Sequence, residues 1–538
     1  SRRCALISFA APFRQRDSRG QRKRGLRTPA RRGYFVDVNT LAAALLSQNF
    51  TLGGLSRFLK VENPKLEFDQ FEGPISDEML GYAVRDAQAT WECYCALLDK
   101  LDGLGMADLR PEEIYSEASV GKGYLREMGI APWRQLQPDF PPELLGKIMA
   151  SYYGGRSEIR IRRELRQVIL CDFLSMYPTV CTLMGLWRFV TASGLTWRDA
   201  TAETRTFLET VDLDALQSPA TWPHLTTLVR VLPDGDIFPV RAAYGGEAQS
   251  TIGANCLTCD TPLWFTLADC IASKLQTGKS PCIEEAVSFA PGAAMQHGLR
   301  PINVSGNPHY RVDPGETDFF KRVIELRKDI QARMADASSD EREALETEQH
   351  ALKICANSTS YGIWVQVNVE TRADSSAVTV HGATGEPFTR LTNKVEKPGE
   401  YFHPLLASLI TGAARLMLAI TECQIAAQGF EWAFCDTDSM AIAKPDAMAG
   451  DEFELGVKAI AEWFASLNPY AFGGSILKIE SENASLETGE PEPLYCWAVS
   501  SKRYALFNLA NGRPIMRKVS AHGLGHLRTP YKADDAPA

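Results

Sequence analysis

Trp432-Ala433-Phe434-Cys435-Asp436-Thr437-Asp438-Ser439-Met440-Ala441-Ile442 sets two carboxylates one residue apart between two short apolar runs. The runs read as strands and Asp-Thr-Asp-Ser as the tight turn that joins them. A hairpin tip of this kind presents oxygen ligands suited to a hard cation such as magnesium. The same residues also make an ordinary polar turn, so the pair needs a further carboxylate and a substrate site elsewhere in the chain. A calcium loop fits poorly, because its sixth position calls for glycine and here is Ala441.

That further carboxylate stands at Asp172. Val168-Ile169-Leu170-Cys171 reads as a buried strand running into Asp172-Phe173-Leu174-Ser175-Met176-Tyr177-Pro178. An acid at the end of a buried strand is costly unless it meets a cation or another partner.

The chain has 538 residues, enough for several domains, with 45% hydrophobic and 23% charged residues, as in ordinary globular protein. No apolar run reaches spanning length; the best, Leu405 to Ile420, is interrupted by Thr411, Gly412 and Arg415. The formal charge of −9 does not announce nucleic-acid binding. Residues 1–33, however, carry eleven Arg or Lys against the single acid Asp17. They read either as a basic arm for phosphates or as a solvated tail. Thirteen cysteines without a framework fit a reducing compartment. Cys256 and Cys259 have zinc-ligand spacing, and Cys270 and Cys282 could complete four ligands, but buried free thiols are the default reading.

Along the chain, Tyr34 to Val38 reads as a strand, followed by two helical patterns ending near Lys60 and a helix from Ser76 or Asp77 to about Leu101. Tyr82 and Asp86 share a face of that helix and could orient a water and bind a metal in a nuclease; a tyrosine packed beside an exposed acid is the plainer alternative. Residues 102–145, rich in Pro and Gly, read as a connection with a short helix or two. In Tyr152-Tyr153-Gly154-Gly155-Arg156 the paired glycines allow close backbone approach, and Tyr153 and Arg156 suit a nucleic-acid backbone; a plain loop-to-strand turn is the alternative. Asp234-Gly235-Asp236 is a hairpin signal. From Thr317 the pattern becomes an antiparallel helical hairpin bearing Arg327 and Lys328 on one helix, Lys353 and Asn357 on the other. As a set facing two acidic strand sites, these suit a magnesium-bound triphosphate; singly, each reads as helix-surface charge. Ile479-Glu480-Ser481-Glu482 reads as a strand, and Lys502-Arg503-Tyr504 as a basic-aromatic group for a phosphate backbone.

These residues resemble the motifs of the family B DNA polymerases. Asp172 to Pro178 looks like motif A, Lys353 to Gly362 like motif B, and Cys435 to Ser439 like motif C. Tyr153-Gly154-Gly155 is similar to the Tyr-Gly-Gly linker motif, and Lys502 to Tyr504 to the Lys-Lys-x-Tyr region. The five stand in the family's order over residues 152–504. Motif B departs by one residue, since Thr359 and Ser360 separate Ser358 from Tyr361.

The resemblance implies template-directed DNA synthesis from deoxynucleoside triphosphates on a DNA primer-template. Asp172, Asp438 and the Phe173 carbonyl would bind two Mg2+ ions, for which Mn2+ can substitute, and Asp436 would have a lesser role. Arg327, Lys353 and Asn357 would hold the triphosphate, Lys328 being a weaker candidate. Tyr177 would exclude a 2′-hydroxyl, and Tyr361 would lie near the nascent base pair. Tyr153, Gly154, Gly155, Arg156, Lys502, Arg503 and Tyr504 would hold DNA.

Tyr82 and Asp86 resemble the third exonuclease motif. With the Asp-x-Glu motif nowhere upstream, proofreading is not expected. The fold class implied is mixed α+β: an RNase H-like exonuclease remnant, a palm of antiparallel sheet with helices, and helical-hairpin fingers. The expected divisions are a basic segment at 1–33, the exonuclease-like part at 34–101 and a connection at 102–150. The palm follows at 151–316 with an insertion and resumes at 363–510, the fingers lie at 317–362, and 511–538 begins a thumb or tail. Both ends read as truncated. The setting expected is cytoplasmic, of bacterial or phage type, with no membrane partner; protein priming and a processivity factor stay open. The alternative is a relative that binds primer-template without extending it.

Overall fold

The computed structural model describes residues 35–69, 73–106, 108–242, 251–381, 387–510 and 512–522, with backbone only for 339, 340, 343 and 510. The basic segment 1–33 lies outside the described residues. The fold is mixed α and β, and every paired strand is antiparallel. Contacts divide the chain into a first unit, Ser1–Ile130 with Gly298–Thr317 and Leu326–Thr359, and a second, Ala131–His297 with Asp318–Glu325 and Ser360–Ala538.

In the first unit the strand expected at 34–38 is not formed by its described residues: Tyr34 lies outside them, residues 35–37 are irregular and a helix runs Val38–Leu46. The reason is Asp37, whose carboxylate accepts the Asn39 N–H and so caps the helix, a local bond that outweighs the β-like alternation. Helices Leu52–Phe58 and Asp77–Asp102 follow, the second capped by Ser76 and carrying Asp77 and Glu78 in its first turn, where the helix dipole favours them. Helix Ser339–Ser360 carries Lys353 and Asn357; helix Phe319–Asp336, which carries Arg327 and Lys328, begins in the second unit.

The second unit is built on an eight-stranded sheet. Its strands are β1 (Ser157–Ile159), β2 (Leu165–Phe173), β3 (Glu431–Asp436), β4 (Ser439–Ala443), β5 (Leu477–Ile479), β6 (Leu494–Ser500), β7 (Arg503–Ala510) and β8 (Arg513–Ala521). The order is β1-β3-β4-β2-β6-β7-β8, and β5 pairs with the end of β2. One face, with Val168, Leu170, Phe434, Ala441, Leu494, Cys496 and Leu506, forms a buried apolar cluster. Burial of such side chains contributes roughly 1.5–3 kcal/mol each for the larger ones.

Helix Pro404–Ala427 has an apolar window long enough to cross a membrane, but that window is wholly buried in the protein. Its one charge in the middle, Arg415, forks onto the buried Asp269 at 2.7 and 2.9 Å. Two further readings are corrected. Asp234-Gly235-Asp236 makes a bulge at the start of strand Asp234–Ala242, which pairs with Thr251–Thr258, so no hairpin turns there. Strand β5 ends at Ile479, and Ser481–Asn483 is a 3-10 turn because Asn483 bonds the Leu170 N–H and C=O, both at 2.8 Å, in place of a strand.

Candidate functional site

Strands β3 and β4 are apolar without alternation because both their faces are covered: Trp432 to Cys435 and Ser439 to Ala443 are all buried. The loop between them is two residues long, with Asp436 opposite Ser439. Thr437 takes a left-handed conformation at φ 67°, and its N–H donates to the Arg156 carbonyl at 2.8 Å. The register of β4 on β2 puts Ser439 opposite Asp172, and the Phe173 N–H donates to the Asp438 carbonyl at 2.9 Å. Asp172 and Asp438 therefore meet at one corner of the sheet.

Neither acid makes an ion pair among the described residues. Burial raises the Asp172 carboxyl well above the ordinary carboxylate range, and the charges of Asp438 and Glu480 add to the rise. Burial also raises Asp438; its own backbone N–H, Lys518 and Lys502 oppose the rise. Asp436 differs, for its carboxylate pairs with Lys502 at 3.1 Å. Two desolvated, mutually repelling carboxylates beside the backbone of Phe173 are donors of the kind a hard divalent cation takes. Among the described residues no group of three or more His, Cys, Asp or Glu is placed to hold a metal. Such an ion would draw its other ligands from water and a substrate, as magnesium commonly does. The zinc alternative gains nothing: Cys256 and Cys282 are exposed while Cys270 is buried in helix Leu267–Thr277.

Ser175, also left-handed at φ 44°, turns the chain from β2 into helix Met176–Leu183, which starts with Tyr177 in its first turn. The Tyr177 ring stacks on Tyr361 with centroids 4.7 Å apart, and the Tyr361 hydroxyl hydrogen-bonds that of Tyr152 at 2.6 Å. A side chain on Gly155 would bring its Cβ to 2.8 Å from the Tyr177 hydroxyl. Gly154 has φ 106°, and its carbonyl accepts a bond from Arg415. The glycines are needed for this approach.

The remaining candidates fall as follows. Tyr153 stacks on Phe265 at 5.4 Å. Arg156 turns inward: 5% exposed, its guanidinium binds Glu158, reaches Glu422 at 2.6 Å and lies over the Trp432 ring of β3, while its backbone carbonyl meets the hairpin turn. Tyr504 stacks on Phe434 at 3.9 Å, and the Arg503 Nε donates to the His522 carbonyl at 2.9 Å. In the first unit Lys353 and Asn357 are exposed four residues apart, and Arg327 and Lys328 are half-buried. Also in that unit, Tyr82 and Asp86 share the Lys65 ammonium, at 2.6 and 2.9 Å.

Sequence reasoning missed Lys65, the clamp of Arg415 and Asp269, and the charges of Glu480 and Lys518 near the acids. A buried-helix arginine was the one visible signal among these. Glu480 and Lys518 are brought in by strand pairing.

No family model matches the chain, and no curated protein matches it. Among solved structures it is similar to phi29 DNA polymerase in an orthorhombic crystal form, at 14% identity over 96% of this chain and 75% of that one, with a TM-score of 0.49. It is similar to phi29 DNA polymerase complexed with primer-template DNA and incoming nucleotide substrates, at 14% identity over 90% and 72%, TM-score 0.47. It is also similar to the family B DNA polymerase of the hyperthermophilic archaeon Pyrobaculum calidifontis, at 15% identity over 94% and 47%, TM-score 0.36. The likeness is distant in sequence and backbone alike.

Proposed function

We propose that this chain is a template-directed DNA polymerase of the family B kind, extending a primer 3′-hydroxyl with deoxynucleoside monophosphates and releasing pyrophosphate. One observation carries the reading: Asp172, on β2, and Asp438, in the turn between β3 and β4, meet half-buried at one corner of the sheet without an ion-pair partner among the described residues. In this reading Asp172, Asp438 and the Phe173 carbonyl hold the magnesium ions. The ions, when bound, ease deprotonation of the attacking hydroxyl and neutralise charge on the leaving group. Asp436, already paired with Lys502, has the lesser role. Tyr177, pinned between Tyr361 and Gly155, lies under the sugar and excludes a 2′-hydroxyl. Arg327, Lys353 and Asn357 bind the triphosphate, with Lys328 beside them. Lys502, Arg503, Tyr504 and the Tyr153-Gly154-Gly155 turn hold the primer-template, with Arg156 bracing that turn from inside.

Proofreading is not part of this reading, because Lys65 already neutralises Asp86. The test is extension of a labelled primer-template by deoxynucleotides and magnesium, with Asp438→Ala beside the parent and DNA binding read on the same samples. Extension by the parent alone is expected. Tight binding with no extension by either protein would leave the chain a primer-template binder.

A further inference from the structure

Strand β8 brings a cation to the acidic corner from the far side of the sheet. Lys518 pairs with Leu506 and Ser520 with Tyr504, and paired residues of antiparallel strands point to the same face. Leu506 and Tyr504 belong to the buried cluster with Val168 and Leu170, so Lys518 is on the face from which Asp172 projects, two residues beyond Leu170. The strand is tied to the site on both sides of Lys518. Arg517 donates to the Ser481 carbonyl at 3.0 Å, just past Glu480, and the Ser520 hydroxyl donates to the Lys502 carbonyl at 2.8 Å. Lys518 is half-buried and makes no ion pair among the described residues. Its charge nevertheless acts on Asp172, Asp438 and Glu480 together. The register and the two ties therefore put a lysine without an ion pair among the described residues on the face of the sheet that carries the acids.

We propose that Lys518 binds a backbone phosphate of the primer strand beside the reacting end, as a second cation next to Lys502. The proposal rests on the polymerase reading. Once divalent ions neutralise the acids, the ammonium faces a net positive corner, and the anion within its reach is the substrate strand. Lys502 is held differently, by Asp436 at 3.1 Å, so the two lysines are not redundant.

The test uses the full chain and a fluorescent primer-template in calcium, with affinity measured at several salt concentrations for the parent, Lys518→Met and Lys518→Arg. Melting temperatures verify folding. Lys518→Met should bind about tenfold more weakly, with the slope of log affinity against log salt reduced by about 0.9. Lys518→Arg should keep most of both. Parental affinity and slope in Lys518→Met would overturn the proposal, and so would an unchanged slope with a lowered manganese requirement, which marks a mere counter-ion. A parent that binds DNA but never extends it would refute the polymerase reading while leaving the salt slope to judge Lys518. A parent that binds no primer-template would overturn both.

Discussion

Tyr82 with Asp86, and Asp172 with Asp438, are two acidic sites whose charge is met in opposite ways. At the first, the Lys65 ammonium lies 2.6 Å from the tyrosine oxygen and 2.9 Å from the carboxylate, and also sits over the Tyr82 ring. At the second, strand register brings two carboxyls together at a half-buried corner, and the nearby lysines act without closing on either. The first arrangement has its countercharge in place. The second raises its own proton affinity and, in the proposed reading, would take a divalent cation. Both sites look alike in sequence, as acids near aromatics, so the difference lies in what the fold brings beside them.

The largest effect should come from breaking the second site. Asp172→Ala should lower primer extension by about a thousandfold or more, equivalent to roughly 4 kcal/mol of transition-state stabilisation. Asp86→Ala should extend at the parental rate. Equal loss in both would erase the contrast.

Gly155→Ala comes next. Its new Cβ must displace the Tyr177 hydroxyl, which lies 2.8 Å away. Steady-state kinetics should show kcat/KM for deoxynucleotides down by about a hundredfold, the scale of an ångström's misplacement. Discrimination against ribonucleotides should change with it, whereas a general loss of folding would leave that ratio alone.

A pH series sharpens the electrostatic half of the comparison. Burial, then repulsion by Asp438, raises the folded-state pKa of Asp172. The stability tied to that proton is complete below the unfolded value of about 3.9 and is lost as pH rises through the folded value. Without metal, Asp172→Asn should therefore melt about 2 °C above the parent at pH 8, with the gap closing near pH 4. Added magnesium should stabilise only the parent.

The smallest effect is expected at the first site. Lys65→Met removes the cation between Tyr82 and Asp86, whose Oδ1 is already buried without a hydrogen-bond partner. Thermal unfolding should register a loss of about 1 kcal/mol, with primer extension unchanged.

What the sequence disclosed follows from locality. Asp172, Asp436 and Asp438 were legible because each ends or joins an apolar run, and helix Asp77–Asp102 because Ser76 and its acidic first turn announce it. Tyr34 to Val38 misled because alternation imitates a strand where Asp37 forms a cap. Arg156 showed as a phosphate binder beside two glycines, and nothing nearby in sequence reveals that its partner Glu422 lies on helix Pro404–Ala427. Lys518 and Glu480 became neighbours of Asp172 only through the pairing of β8 and β5, which no local pattern records.

The most direct measurement is a manganese titration of the DNA-free protein, with free ion read by electron paramagnetic resonance. The parent and Asp86→Asn should take up manganese alike, and Asp172→Asn and Asp438→Asn should lose that uptake. Undiminished uptake by Asp172→Asn and Asp438→Asn would contradict the account, because the ion would then bind somewhere other than the corner where β2 meets the hairpin.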